Sequence, residues 1–175
     1  MHDGDGTPYA GDPRTVLQQV CELYRQLELT PVMTTEVEFY LLAPGDADTP
    51  FKPSSQRQGD YPIGGDTYGV ESLQEQREIL DGIRMACEAQ GLPLDGILKE
   101  SAPSQYELNL HHVADPVLAA DHNLLARRII RGIAQQHDMI ASFMAKPIED
   151  HAGNGMHIHL SVLDKNGDNI FSRSE

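Results

Sequence analysis

Ile97-Leu98-Lys99-Glu100-Ser101-Ala102-Pro103-Ser104-Gln105-Tyr106-Glu107-Leu108-Asn109-Leu110-His111 is the stretch whose reading decides the fold. Two strand-forming runs, near 95–100 and 105–111, flank Ser101-Ala102-Pro103-Ser104, a turn too short for a crossover. Parallel neighbours need a dozen or more residues to reconnect, so these strands pair antiparallel and argue against a purely doubly wound sheet. Along the second run the period of two puts Tyr106, Leu108 and Leu110 on one face and Gln105, Glu107, Asn109 and His111 on the other.

Working outward, Asp12-Pro13 and Asp115-Pro116 are helix starts, with Asp as N-cap and Pro at the first helical position. Apolar residues at helical spacing then predict helices over about 13–28 (Val16, Leu17, Val20, Tyr24, Leu27) and from Val117 to Ile133. Ser72-Leu73-Gln74-Glu75 reads as a capping box opening a helix that Gly91 and Pro93 close, with Leu73, Leu80, Ile83 and Cys87 on its buried side. Strands are predicted over Pro31–Leu42, Met139–Ala145 and Gly155–Leu163, and Asp164-Lys165-Asn166-Gly167 is a hairpin turn. Residues 43–70, rich in Gly, Pro and Asp, form a long loop, and 147–154 a shorter one. The expected fold is α+β: a curved, largely antiparallel sheet with helices packed on its outer face. The chain stops soon after Phe171, as the return arm of a hairpin begins, which is the pattern of a piece of a longer protein.

The 175 residues carry 13 Lys+Arg against 27 Asp+Glu, a formal net charge of −14. Such a balance argues against nucleic acid as a partner, because phosphate backbones require clustered Lys and Arg. It favours cations, or substrates whose charge is masked by metal. No apolar run approaches a bilayer span, no basic-then-apolar leader opens the chain, and Cys21 and Cys87 sit in helical patterns as reduced thiols. A cytoplasmic protein without membrane partner is expected.

Three strands carry polar residues at period two. Glu36 and Glu38 share a face opposite Val37 and Phe39; Gln105, Glu107, Asn109 and His111 share another; His157, His159 and Ser161 alternate with Met156, Ile158, Leu160 and Val162. Glu100 ends its strand beside them. Each motif alone is also what a half-exposed strand without a ligand looks like. The residue choice is unlike a solvated face, however: Glu36 and Glu38 are like charges with no Lys or Arg between Arg25 and Lys52. Crowded carboxylate oxygens with an imidazole are hard ligands suited to Mg²⁺ or Mn²⁺, and the closed Cys/His set of structural zinc is absent. A phosphate-binding P-loop, a G-x-S-x-G elbow and a reactive Cys are absent as well. Gly153-Asn154-Gly155 is a loop where backbone can approach a ligand, or an ordinary turn. His111-His112 reads as a strand end, and His2, His122, His137 and His151 as surface or loop residues.

The assembled motifs resemble the glutamine synthetase family. They are Glu36-Val37-Glu38-Phe39-Tyr40, Lys99-Glu100-Ser101-Ala102-Pro103-Ser104-Gln105-Tyr106-Glu107, Ser142-Phe143-Met144-Ala145-Lys146-Pro147 and Gly153-Asn154-Gly155-Met156-His157-Ile158-His159-Leu160-Ser161. In form, the second and fourth are most similar to the branch of γ-glutamyl-amine ligases acting on putrescine and similar amines. The resemblance implies an ATP-dependent ligase of nitrogen metabolism. Such an enzyme joins the γ-carboxyl of glutamate to ammonia or a primary amine through γ-glutamyl phosphate, in a funnel of antiparallel strands holding two divalent ions. By motif, Glu38, Glu100 and Glu107 would hold one ion and Glu36 and His157 the other. His159 and Ser161 would lie along ATP, and the Gly153 backbone beside glutamate. Ala152 departs from the Asn of many ammonia-using members.

The resemblance further implies that residues 1–175 are the first part of a catalytic domain, lacking the family's small N-terminal domain and the Arg-rich remainder. The whole protein is then a homo-oligomer and this piece alone does not turn over. Two alternatives stand beside the ligase. One is a non-catalytic metal-binding or assembly module of the same family. The other is a relative that phosphorylates guanidino compounds, against which the E-x-E and G-M-H-x-H motifs argue.

Overall fold

A computed structural model describes residues 2–45, 51–54 and 67–172. In chain order its elements are α1 (Pro13–Gln26), β1 (Thr30–Pro44), β2 (Phe51–Pro53), α2 (Val70–Glu75), α3 (Arg77–Ala89), β3 (Leu94–Lys99), β4 (Gln105–Leu110), α4 (Pro116–Gln136), β5 (Ile140–Ser142) and β6 (Met156–Leu163). The strands form one sheet in the order β2-β1-β4-β3, with β5 and β6 also pairing β1, and among the described residues it does not close into a barrel. Pairings of β1 with β2, β4 and β5, and of β3 with β4, are all antiparallel. This is the expected α+β class.

Two compact units divide the chain: Met1–Thr34, His112–Asp121 and Ile158–Glu175 form one, and Thr35–His111 with His122–His157 the other. In the second unit, the apolar faces of β1 and β4 (Phe39, Leu41, Tyr106, Leu108, Leu110) pack against Ile79, Leu80, Ile83 and Cys87 of α3 and Ala126, Ile129, Ile130 and Ala134 of α4. Helices therefore cover one face of the sheet, and the alternation that buries these side chains turns the polar residues of the same strands to the other face.

In the first unit the Asp12 carboxylate accepts from the Thr15 N–H at 3.3 Å, as an N-cap should. Asp115 caps α4 likewise, accepting from Val117 and Leu118. The apolar residues of α1 include a stripe (Val16, Val20, Leu23 and Leu27) that stays exposed, Leu27 to 69%. Gly167, at φ +87°, closes the turn between Leu163 and Asn169.

Four expectations are corrected. The Ser72 capping box does not start a helix: α2 begins at Val70 after Gly69, and Ser72 is buried inside it. Its carbonyl lies 3.4 Å from the Tyr106 hydroxyl, which donates to it, so tertiary burial overrides the local signal. The single helix expected there is broken at Gln76 (φ −109°, ψ 20°) into α2 and α3. The strand expected over Met139–Ala145 shrinks to Ile140–Ser142, because pairing with β1 ends at Tyr40↔Ser142. Within the expected loop 43–70, Phe51–Pro53 pairs with Leu42–Pro44; residues 46–50 and 55–66 lie outside the described residues.

Candidate metal centre

Every carboxylate singled out in the sequence falls in the second unit. Glu36, Glu38 and Tyr40 share one face of β1, and the register with β4 sets Glu38 opposite Glu107, Glu36 opposite Asn109 and Tyr40 opposite Gln105. Glu100 follows the end of β3, where its N–H donates to the Gln105 carbonyl at 2.9 Å and closes the turn. His157 is the second residue of β6; just before it, the Glu38 N–H donates to the Gly155 carbonyl at 3.2 Å. The outcome is two groups of three, Glu38–Glu100–Glu107 and Glu36–Glu107–His157, each with potential ligand atoms within 4.8 Å of one another. The five residues singled out in the sequence therefore lie close together. Glu107 reaches both groups.

Glu107 is only 7% exposed. Burial raises its pKa above the usual carboxylate value, a hydrogen bond from Asn109 opposes this, and the charges of Glu36, Glu100 and Glu38 push it further up. The His157 Nδ1 lies 2.9 Å from Glu36 Oε2, and that hydrogen bond raises the imidazole pKa. Like charges directly opposed on neighbouring strands destabilise a sheet unless something neutralises them. Asn109 Oδ1 is buried without a hydrogen-bond partner on this same polar face, opposite Glu36. Carboxylates, a carbonyl oxygen and one imidazole are the donor set of a hard divalent cation, so the residues fit Mg²⁺ or Mn²⁺.

Sequence reasoning assigned no role to several residues that frame this centre. Tyr40, whose phenol is pushed up to about 12 by burial and then by the charge of Glu38, donates to the Ala152 carbonyl at 2.6 Å. The Lys99 ammonium is buried and donates to the carbonyls of Glu100 and Ala102 at 2.5 and 2.7 Å, holding the turn that carries Glu100. Gln105 and Asn154 join β4, β1 and the loop before β6. A Cβ at Gly155 would lie 2.9 Å from Glu38 Oε1 and 3.3 Å from His157 Nε2, so any other residue would push both side-chain ends from their present positions. The available signal was the period of two, which sets Tyr40 beside Glu38 and Gln105 beside Glu107.

Gly153 is exposed, and a Cβ there would come 2.6 Å from the Ala145 carbonyl oxygen. His159 and Ser161 belong to the first unit. There the His159 ring meets His112 edge-on, with centroids 6.2 Å apart, and Ser161 is half-buried.

The family model described as glutamine synthetase, catalytic domain, matches residues 10–175. Over 180 residues the chain is 38% identical to gamma-glutamylputrescine synthetase of Escherichia coli (strain K12), covering 100% of this chain and 38% of that protein. It is 31% identical over 173 residues to glutamine synthetase of Halobacterium salinarum, covering 99% of this chain and 36% of that one. A solved GmaS/ADP complex superposes with a TM-score of 0.83 at 24% identity, over 98% of this chain and 38% of that structure, and so shares the fold. The chain thus spans less than two fifths of the length of these relatives. No helix among the described residues is long and apolar enough to cross a membrane.

Proposed function

The chain belongs to the glutamine synthetase catalytic-domain family, and we propose that it supplies the carboxylate face of an ATP-dependent ligase. That ligase joins the γ-carboxyl of glutamate to an amine through γ-glutamyl phosphate. The observation that carries the proposal is the pair of three-residue groups sharing Glu107. Glu38, Glu100 and Glu107 would hold one divalent ion, and Glu36 and His157, with Glu107 in reach, the other. Bound there, divalent ions supply neutralisation of phosphate and carboxylate charge, the main demand of phosphoryl transfer between two anions.

The chain's own residues do the rest. Glu36 Oε2 lies 2.9 Å from His157 Nδ1, which sets the imidazole beside the carboxylate proposed to share its ion. Tyr40 fixes the Ala152 carbonyl next to Gly153, whose backbone is assigned to glutamate. His159 and Ser161 are assigned to the nucleotide. Self-association of the whole protein belongs to the same proposal and is supported by the exposed α1 stripe.

Titration calorimetry with Mn²⁺ tests the centre. Binding to the wild-type chain should weaken at least tenfold in Glu38→Ala and in Glu107→Ala, and equal affinity in all three would refute it. The acceptor is proposed to be a primary amine such as putrescine, supported by the greater identity to the putrescine ligase. Phosphate release by a protein of the relatives' length carrying this chain should show higher kcat/KM with putrescine than with ammonium. The reverse order would overturn the acceptor and leave the ligase standing.

A further inference from the structure

Gln105 lies at the start of β4 and is 1% exposed, with its side chain on the carboxylate face. Its Oε1 accepts from the Ala102 N–H at 3.2 Å, which fixes the rotation of the amide. The Nε2 is thereby aimed at three acceptors: Glu38 Oε2 at 3.0 Å, the Gly153 carbonyl at 2.9 Å and Asn154 Oδ1 at 3.2 Å. Asn154 is oriented in turn, because its Nδ2 donates to the Ser142 and Met144 carbonyls at 3.2 and 2.9 Å. One buried amide therefore ties together the turn that follows Glu100, the Glu38 carboxylate and the loop that carries Gly153.

A buried polar side chain with every bond directed is a rigid element, and one placed behind a ligand fixes that ligand's torsion. Two N–H protons cannot fully satisfy three acceptors, so the bond to Glu38 and the bonds to the loop compete. We infer that Gln105 is a positioning residue: it orients Glu38 for the divalent cation and couples that orientation to the Gly153–Asn154 loop. This rests on the metal reading above. It goes further by giving the loop and the cation a shared support, so that the residues proposed to lie beside glutamate are held through a cation ligand's own hydrogen bond.

The experiment is Mn²⁺ binding to the 175-residue chain, followed by calorimetry and by the loss of the free Mn²⁺ paramagnetic signal. Gln105→Met keeps length and packing while removing the hydrogen bonds, and circular dichroism checks that it folds. If it does not fold, Asn154→Ala, which cuts the loop side of the amide at a half-buried position, takes its place. Expected is a tenfold to hundredfold weaker affinity in Gln105→Met, the usual range for losing a partner behind a metal ligand. For Asn154→Ala an about threefold loss that vanishes in the Glu38→Ala background is expected, and unchanged affinity in the folded variant would overturn the inference.

The deciding comparison is made in a Glu38→Ala background. There Gln105→Met should change affinity by less than twofold, because Gln105 acts through Glu38. A merely structural role would give the same loss in both backgrounds and overturn the inference. Unchanged affinity in a folded Gln105→Met with a wild type that binds would also overturn it, leaving the metal reading intact. A wild type that does not bind Mn²⁺ would overturn both.

Discussion

Replacing Glu107 with Gln should stabilise the metal-free protein while abolishing its response to Mn²⁺. Glu107 is nearly isosteric with Gln, and a Gln carbonyl can keep the hydrogen bond from Asn109. What disappears is one negative charge among Glu36, Glu38 and Glu100, whose oxygens approach it within 4.8 Å. Two unit charges at that separation repel by about 3.5 kcal/mol at an effective dielectric of 20 and by about 0.9 kcal/mol in water. Glu107 is buried, its neighbours are half-buried, and His157 offsets part of the charge on Glu36. The net gain on neutralisation is therefore about 1–2 kcal/mol, or about 2–8 °C in Tm for a chain of this size. Mn²⁺ at one hundred times its Kd should raise wild-type stability by about 2.7 kcal/mol and leave the variant unmoved. Thermal unfolding followed by circular dichroism, with and without Mn²⁺, should thus show the order of stabilities reversing. A Glu107→Gln protein that melts below the metal-free wild type would refute the reasoning, since the carboxylate would then be satisfied by its surroundings and not strained by them.

Mn²⁺ affinity should rise with pH between about 5 and 8. Both Glu107 and His157 hold their protons more tightly than the ordinary values of 4.5 and 6.5, and both must lose them to bind a cation. The sign for metal-free stability is the opposite: groups with raised folded pKa values stabilise below their unfolded values, and that contribution is lost as pH climbs through the folded ones. Calorimetric Kd values that do not change over this window would count against these two groups as ligands. Gly155→Ala should cost little stability but weaken Mn²⁺ at least tenfold, because the new Cβ presses on Glu38 and His157 at 2.9 and 3.3 Å. Gly153→Ala should do the converse, losing about 1–3 kcal/mol in urea unfolding, since its Cβ meets the Ala145 backbone oxygen at 2.6 Å. The same effect in both variants would show that the two glycines serve one purpose.

What was legible in the sequence was whatever a period of two can carry. Glu36, Glu38 and Glu107 alternate with buried apolar neighbours, so their common side follows from burying Phe39, Tyr106 and Leu108, whereas Met156 and Ile158 beside His157 are exposed and its alternation reports no core. The short turn at 101–104 likewise made antiparallel pairing of β3 and β4 unavoidable. The register between strands distant in sequence was not legible, because it depends on which residues of β1 face β4. Only that register sets Glu38 opposite Glu107 and lets Glu107 reach both groups. Ser72 misled for the complementary reason: a capping box is a local preference worth about 1 kcal/mol, and burying that turn beneath Tyr106 outweighs it. The strain in the centre follows from the same division. Local alternation delivers the carboxylates to one face, and tertiary packing presses them together. The sheet gains its core on one side by concentrating on the other a charge that a divalent cation is suited to neutralise.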